Sequence, residues 1–165
     1  VPHCYGWLGL DARGNWFMRD DRVQALGQFA SGVPGCKGSL LQHDKLIDFI
    51  GRNYHADPVG QWFFQNGPQR VYVELQATPL VWRIQADLTI KDHIGRSACV
   101  ERCVLDELGH LYLVADASFG LVHTQDMGLA ADAIEQGLWT LQGARQAELP
   151  AEFGFVKSPQ SLQKM

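Results

Sequence analysis

Apolar and polar residues alternate with a period of two along most of this chain, which predicts strands rather than long helices. Between 62 and 75 the alternation divides the side chains into two faces. The face assigned to the core carries Trp62, Phe64, Val71, Val73 and Leu75. The other face mixes aromatic and charged residues, namely Phe63, Gln65, Arg70, Tyr72 and Glu74. Further strands are predicted for 4–10, 15–19, 80–86, 89–94, 98–105, 111–115 and 119–123.

An Asp-x-x-Gly pattern occurs at 11–14, 57–60 and 106–109, each time followed closely by a bulky apolar pair. Asp at the first position of a type I turn bonds its own backbone, and Gly at the fourth accepts a positive φ. Such turns close antiparallel hairpins. The spacing of about 50 residues suits a supersecondary repeat, so internal hairpin repeats are predicted. The alternative is that unrelated turns of this kind occur by chance in a β-rich chain.

The tip of the central hairpin holds Asn66-Gly67-Pro68. Proline has no N–H, so a two-residue Asn66-Gly67 loop would lack its closing hydrogen bond. A four-residue loop that pairs Gln65 with Arg70 is therefore predicted.

Two helices are predicted, at about 39–53 and 127–136. Ser39 and Gln42 have the spacing of a capping box, and Leu46, Ile47, Phe49 and Ile50 follow at helical spacing as an inward face. Asp126 is the expected N-cap of the second helix, and Gly137 ends it. The fold class is therefore α+β, a single domain over 1–165 in which repeated antiparallel β-hairpins pack around two helices.

Composition narrows the class of protein. A net charge of −4 without a basic stripe argues against nucleic-acid binding, and no apolar run is long enough for a membrane span. The four cysteines, Cys4, Cys36, Cys99 and Cys103, lack the spacing of zinc or redox sites. We expect them to be reduced and the protein to be cytoplasmic. The sequence opens on Val1 and not on Met, so we expect that an N-terminal segment precedes it.

The glycine-rich stretch Gly32–Gly38, just before the predicted Ser39 helix, is the first ligand-site candidate. Free N–H groups at a helix N-terminus attract anions, and Lys37 adds positive charge. The order of Lys37, Gly38 and Ser39 differs from that of a P-loop. These three residues are predicted to bind a small anionic ligand; the alternative is an ordinary loop with an ordinary cap.

Arg70, Tyr72 and Arg83, with Phe63, form the second candidate, a binding surface on the sheet for a partner protein or ligand. Tyr and Arg are enriched at interfaces. The alternative is that they are cross-strand pairs on a half-covered sheet.

No catalytic residue, metal or cofactor is assigned. The six histidines, His3, His43, His55, His93, His110 and His123, have no ligand spacing with supporting Cys or carboxylate groups. His43 is expected to be partly buried, and His55 and His110 to be exposed. The leading function is thus a non-catalytic binding or regulatory module. The alternatives are a small enzyme that gathers Glu74, His93 or Asp106, and a structural homo-oligomer.

The runs CYGWLGLDARGNW, WFFQNGPQRVYVELQATPLVWRI and GLVHTQDM resemble an uncharacterised proteobacterial family of about this length, a domain of unknown function. The resemblance covers most of the chain and implies no activity. A looser similarity, in the order of elements only, connects the chain to another uncharacterised bacterial family. Its members repeat sheet-and-helix motifs and have been suggested to act in signalling. By analogy it supports the repeat and implies no site residue.

Overall fold

The computed structural model of the chain describes residues 2–163. These residues form two compact units. Unit 1 comprises 2–77 together with 154–163, and unit 2 comprises 78–153. That the whole chain acts as a single domain stays a prediction.

Unit 1 is built from six strands and three short helices. Its strands are β1 (Cys4–Leu10), β2 (Trp16–Met18), β3 (Ser39–Leu40), β4 (Tyr54–Ala56), β5 (Trp62–Asn66) and β6 (Gln69–Leu75). Its helices are α1 (Asp21–Leu26), α2 (Asp44–Arg52) and α5 (Pro159–Leu162). The sheet order is β3-β2-β1-β6-β5-β4. All neighbours are antiparallel except β1 and β6, which pair in parallel at the centre.

Unit 2 is built from seven strands and two helices. Its strands are β7 (Leu80–Ile84), β8 (Ile90–Asp92), β9 (Ser97–Ala98), β10 (Val100–Leu105), β11 (Leu111–Ala115), β12 (Ser118–Val122) and β13 (Leu141–Gly143). Its helices are α3 (Met127–Glu135) and α4 (Leu149–Phe153). The sheet order is β13-β10-β11-β12-β7-β8-β9, with parallel pairs β12–β7 and β10–β13. The predicted α+β class with mostly antiparallel hairpins is confirmed, whereas the three parallel pairs were not predicted.

The chain reverses at 11–14, 57–60 and 106–109 with one hydrogen-bond pattern. In each turn the Asp carbonyl accepts the Gly N–H, and the Gly has a φ between 85° and 88°. One carboxylate oxygen accepts the N–H groups two and four residues later at 2.8–3.0 Å. A fourth turn of this kind, at 92–95, was missed because Ser97-Ala98 stands where a bulky apolar pair follows the other three turns.

The tip of the β5–β6 hairpin is tighter than predicted. Gln65 pairs with Arg70 as expected, but Asn66 also pairs with Gln69. The loop is therefore Gly67-Pro68, with Gly67 at a φ of 57°. Proline lies inside the loop, where its missing N–H removes no ladder hydrogen bond.

The predicted helix at 39–53 is wrong at its start. Ser39 belongs to β3 and pairs with Met18, and the helix begins at Asp44. Gly38 decides this, because its φ of 90° and its close approach to the Met18 carbonyl hold the following residues against β2. The N-cap is His43, which is exposed rather than partly buried and accepts the Leu46 N–H at 3.3 Å.

The second helix forms almost as predicted, from Met127 to Glu135, but Asp126 does not cap it through its side chain. The Asp126 carboxylate instead accepts hydrogen bonds from the Arg83 guanidinium and the Ile84 N–H. Helices α2 and α3 belong to different units, so the hairpins do not share one helical centre.

Each unit has its own buried apolar residues. In unit 1 these include Leu8, Leu10, Trp16, Phe29, Ile50, Tyr54, Val73 and Leu75. In unit 2 they include Val81, Trp82, Ile90, Val104, Leu113, Ala115, Ala130 and Ala133. The buried charged residues of unit 1 are Asp11, Arg19 and Glu74. All four cysteines are free thiols; Cys36 and Cys103 are buried, and Cys99 is exposed.

Candidate functional site

An apolar groove lies between α2 and the sheet of unit 1. It encloses about 340 Å³ and is lined by Cys4, Trp7, Leu8, Met18, Leu46, Phe49, Ile50, Phe64, Asn66 and Val71. We call these ten residues the apolar groove. Every strand of the sheet except its two edges supplies at least one of them, and α2 supplies three.

Large apolar side chains remain exposed around the groove. Trp7 is 40% exposed, Met18 44%, Leu46 38% and Phe49 39%. The sequence predicted that Leu46 and Phe49 lie on a covered helix face. This prediction is wrong, because Ile50 is the one fully buried residue among the three α2 residues that line the groove. The apolar stripe of α2 is wider than the part of it that the sheet covers.

Two local features shape the groove. The register between β1 and β6 shifts between Cys4 and Leu8, with Gly6 at a φ of 85°, so β1 carries a bulge that brings both of these residues to the groove. Across the groove, Phe49 of α2 meets Phe64 of β5 edge to face, with ring centroids 5.5 Å apart. This is a favoured aromatic geometry, which fixes the helix against the sheet at that point.

The groove lining is almost free of hydrogen-bonding groups. The only polar side-chain groups among the ten residues are the Cys4 thiol, the Trp7 indole N–H and the Asn66 amide, and none of the ten is charged. Such a surface can bury an apolar group but offers little to orient a polar one.

Arg70 and Tyr72 lie on the opposite face of β6 from Val71, away from the groove. Tyr72 is buried and stacks on Tyr5 with ring centroids 4.8 Å apart. The Arg70 guanidinium lies 4.3 Å from the centre of the Phe63 ring and donates to the Tyr72 hydroxyl at 3.3 Å. Burial, followed by the neighbouring Tyr72 and Asp57, raises the pKa of Tyr5. The cluster is therefore internally partnered, and its role as a binding surface stays a prediction.

Arg83, in unit 2, has a different partner. Its guanidinium binds the Asp126 carboxylate, with Nε 2.7 Å from Oδ2 and the terminal nitrogen 3.3 Å from Oδ1. The Asp126 hydrogen bond raises the pKa of Arg83. These contacts give Arg83 a structural task.

The glycine-rich stretch Gly32–Gly38 leads into strand β3 and not into a helix. The helix N-terminus on which the predicted anion site was based is therefore not formed at this place. Lys37 and Gly38 nevertheless line a cavity of about 370 Å³, together with Phe29, Ala30, Gly32, Val33, Gly35, Cys36 and Gln76. We call it the loop cavity. Ser39 is exposed and does not line it.

The residues proposed for a small enzyme already have structural partners. The buried Glu74 carboxylate accepts from the Ser158 hydroxyl at 2.5 Å and the Gln160 N–H at 3.1 Å, which anchors α5. His93 accepts the Val81 N–H through Nδ1 at 3.2 Å. Asp106 accepts the Tyr112 hydroxyl at 2.7 Å.

An Asp106–His110 contact of 3.1 Å resembles a catalytic pair, but the other turns argue for a structural role. In all four Asp-x-x-Gly turns the residue after Gly donates a side-chain N–H to the second carboxylate oxygen, and these donors are Asn15, Gln61, Arg96 and His110. His110 thus occupies a position that any suitable donor can fill. Within residues 2–163 no three His, Cys, Asp or Glu side chains are placed to hold a metal ion. No helix in that range is long and apolar enough to cross a membrane.

The sequence model of family DUF2944, described as "Protein of unknown function (DUF2946)", matches residues 1–160. The chain belongs to this family. The expected membership of an uncharacterised family is thereby confirmed. No curated protein matches this DUF2944 chain.

Two solved structures share the fold of the DUF2944 chain, and both are DUF1285 family proteins. The protein from Shewanella baltica OS155 is 14% identical, with a TM-score of 0.50 over 76% of this chain and 91% of its own. The protein from Silicibacter pomeroyi DSS-3 is also 14% identical, with a TM-score of 0.51 over 76% of this chain and 68% of its own. At this identity the likeness concerns the fold alone.

Sequence reasoning missed the groove residues Trp7 and Met18 and the loop-cavity residue Gln76. The helical spacing of Leu46, Phe49 and Ile50 places them on one apolar face of α2, but this spacing is also typical of a fully covered helix face. No local signal marks Gln76, because its place in the loop cavity depends on contacts between distant segments.

Proposed function

We propose that this DUF2944 protein is a non-catalytic binding module whose unit 1 takes up the apolar chain of a small ligand in the apolar groove. The observation that carries the proposal is the exposure of four large apolar side chains around one cavity. Contiguous apolar surface costs free energy in water, and in soluble proteins it usually marks a binding site.

The polarity and size of the groove support an apolar chain as the occupant. A bound peptide strand would need partners for its backbone N–H and C=O groups, which the groove lining does not supply. A volume of about 340 Å³ lies at the lower end of the range for small-molecule pockets. A linear or aromatic hydrocarbon group requires no hydrogen bond and fits this lining.

The test is titration calorimetry of the full chain with decanol, a linear uncharged alcohol. We expect saturable binding that weakens at least tenfold in Leu46→Lys, which places a charge in the groove on a helix position. Val59→Lys is the matched control, because Val59 is also exposed and in unit 1 but does not line the groove. Absence of saturable binding, or equal weakening in both variants, would overturn the proposal.

Self-association is the competing use of the same surface. Sedimentation velocity over a wide range of protein concentration separates the two. A dimer that Leu46→Lys dissociates and Val59→Lys does not would replace the small ligand with a second copy of the chain. A monomer that binds decanol supports the proposal.

We also propose that the two units are related by an internal repeat. The segments from Asp57 and from Asp106 support it, because each runs through an Asp-x-x-Gly turn into a strand, a two-residue loop and a further strand. In both segments the two residues that pair to close the loop lie at the same distance along the chain from the Asp. They are Asn66 with Gln69 and Ala115 with Ser118. The further strand, β6 in unit 1 and β12 in unit 2, then pairs in parallel with the first strand of its unit.

A cytoplasmic location completes the proposal. Its support is the burial of Cys36 and Cys103 as free thiols, and burial raises the pKa of Cys103 to about 11. A thiol with so high a pKa forms little reactive thiolate at neutral pH, which suits a structural cysteine.

A further inference from the structure

We propose that the loop cavity of unit 1 binds a phosphate monoester, with Lys37, Gln76 and loop N–H groups holding the phosphate while Ala30 and Val33 face the ester group. This site is separate from the apolar groove. On β2, Met18 lines the groove. The preceding residue is Phe17, and the centre of its ring lies 5.9 Å from the Lys37 ammonium. Neighbouring strand residues point to opposite faces, so the two cavities lie on opposite faces of the sheet.

The side chains that line the loop cavity offer donors and no carboxylate. Lys37 makes no hydrogen bond or ion pair within residues 2–163, and its ammonium contacts only the Phe17 ring. The Gln76 amide has a defined orientation, because its oxygen accepts the Ala12 N–H at 3.0 Å. Its NH₂ group therefore remains a donor, and it has no partner among the described residues.

The backbone of the loop has the same bias toward free donors. Its carbonyls are partly used inside the protein: Val33 accepts from Cys36 N–H, Gly35 from Gly38 N–H, and Cys36 from the Arg19 side chain. In contrast, the N–H groups of Gly32, Gly35 and Lys37 have no hydrogen-bond partner in the described part of the chain. A cavity whose side chains and loop N–H groups present free donors favours an anion.

The contacts of Arg19 account for the orientation of the Lys37 N–H group. Its guanidinium is 1% exposed and donates to the carbonyls of Cys36, Gly6 and Gly27 at 2.7–3.1 Å. The Cys36 carbonyl and the Lys37 N–H belong to one trans peptide group and point in opposite directions. Binding the carbonyl to Arg19 therefore turns the Lys37 N–H away from the guanidinium.

The same guanidinium adds positive charge beneath the loop. Burial lowers the pKa of Arg19 and the charge of Glu74 raises it, but an arginine stays protonated at neutral pH. Glu74 offsets part of the field, while its own carboxylate is occupied by Ser158 and Gln160. The donors that remain free, two side chains and three N–H groups, suit the several oxygens of a phosphate better than the two of a carboxylate.

The other lining residues define the rest of the ligand. Val33 and Ala30, which are both exposed, provide apolar surface in the same cavity. An anion that carries a small apolar or aromatic group would fill both parts. Phenyl phosphate is a simple probe of this class, inorganic phosphate tests the head group alone, and benzoate tests a carboxylate on the same ring.

The experiment is a titration of the full chain at constant ionic strength, followed by calorimetry and by backbone amide NMR. We expect phenyl phosphate to bind more tightly than inorganic phosphate and at least tenfold more tightly than benzoate. The amide signals of Gly32, Gly35 and Lys37 should shift on binding. Equal affinity for benzoate, or shifts confined to other residues, would overturn the assignment.

Two variants test the donors. Gln76→Glu keeps the oxygen that accepts the Ala12 N–H but replaces the donor with a negative oxygen, so we expect phenyl phosphate binding to be lost. Lys37→Gln should weaken binding at least tenfold, and Lys37→Arg should restore most of it. Lys45→Gln, which removes a lysine on α2 outside the cavity, is the control. If it weakens binding as much as Lys37→Gln, attraction is non-specific and the proposal fails.

Discussion

Units 1 and 2 use the same turn chemistry and closely similar strand orders, but they differ in what they leave exposed. Unit 1 exposes four large apolar side chains around its groove and keeps free donors in its loop cavity. In unit 2 the exposed large apolar residues, Leu108, Leu138 and Leu141, lie at a turn, after a helix and on an edge strand. Isolated exposed residues of this kind are normal for a protein surface.

The two units also differ in the hydrogen bonds that their corresponding polar side chains make. Unit 2 ties its elements together with an Arg83–Asp126 ion pair and with an Asp106 carboxylate that accepts from Tyr112, His110 and Gln146. In unit 1 the corresponding Asp57 accepts from Gln61 at 3.1 Å and only at 3.4 Å from Tyr72. The comparison indicates that units of similar topology can differ in which apolar and donor groups they leave exposed.

The turn glycines give the largest expected contrast. Gly60 and Gly109 have nearly equal φ values of 88° and 87°, but a Cβ at Gly60 would collide with the Gly154 carbonyl, while nothing lies near a Cβ at Gly109. Gly109→Ala should cost about 1–2 kcal/mol from the left-handed conformation alone. Gly60→Ala should cost about 3 kcal/mol, since backbone must also move. Urea unfolding of both variants measures this, and equal losses would contradict the structure.

The next effect concerns the ion pair of unit 2. Asp126→Ala removes the partner of Arg83 and leaves the buried Ile84 N–H without an acceptor, so we expect a loss of about 2–3 kcal/mol in the free energy of unfolding. Asp132→Ala, an exposed position on the same helix, should change stability by less than about 0.5 kcal/mol. A loss shared equally by the two variants would show that the helix, not the ion pair, is responsible.

Acid should destabilise the protein through the same two carboxyl groups of unit 2. Burial acts to raise the pKa values of Asp106 and Asp126, but their hydrogen bonds outweigh it and hold both pKa values below the usual range. The stabilisation is therefore present above about pH 4 and is lost as the pH falls through the folded values. The urea midpoint should drop in this range, and the drop should be smaller in an Asp106→Asn, Asp126→Asn double variant.

The smallest contrast compares two tyrosines. Burial and the adjacent Asp106 raise the pKa of Tyr112, so its hydroxyl stays protonated and donates at 2.7 Å. Tyr112→Phe should cost about 1–2 kcal/mol, because a buried carboxylate loses a donor. Tyr72→Phe should cost less than about 0.5 kcal/mol, since its hydroxyl contacts are 3.3–3.4 Å long. A larger effect at Tyr72 would mean that the Asp57 cluster of unit 1 is tighter than these distances indicate.

Local patterns predicted much of the fold. The alternation placed the hairpin strands, and the Asp-x-x-Gly pattern placed three of the turns, because each turn closes its own hydrogen bonds within five residues. The failure at Ser39 is instructive. The capping-box spacing is also local, but the contact of Gly38 with β2 overrides it, and the segment becomes an edge strand.

The candidate sites were less predictable. The charge of Lys37 and the free N–H groups of a predicted helix N-terminus indicate this loop, yet its neighbour Gln76 comes from the residue directly after β6. Leu46 and Phe49 were placed on the correct helix but assigned to the core. Arg83 was grouped with Arg70 and Tyr72 by residue type, and the structure gives it Asp126 as its partner.

The sequence alone determined the α+β class, the hairpins and the turns that close them, since these depend on side-chain period and on hydrogen bonds between near neighbours. Only the tertiary structure decided the parallel pairing of β1 with β6 and of β7 with β12, the apolar groove and the loop cavity. Those features join segments that are far apart along the chain. Their formation depends on which surfaces remain to be covered after the local elements have formed, and no short stretch of sequence contains that information.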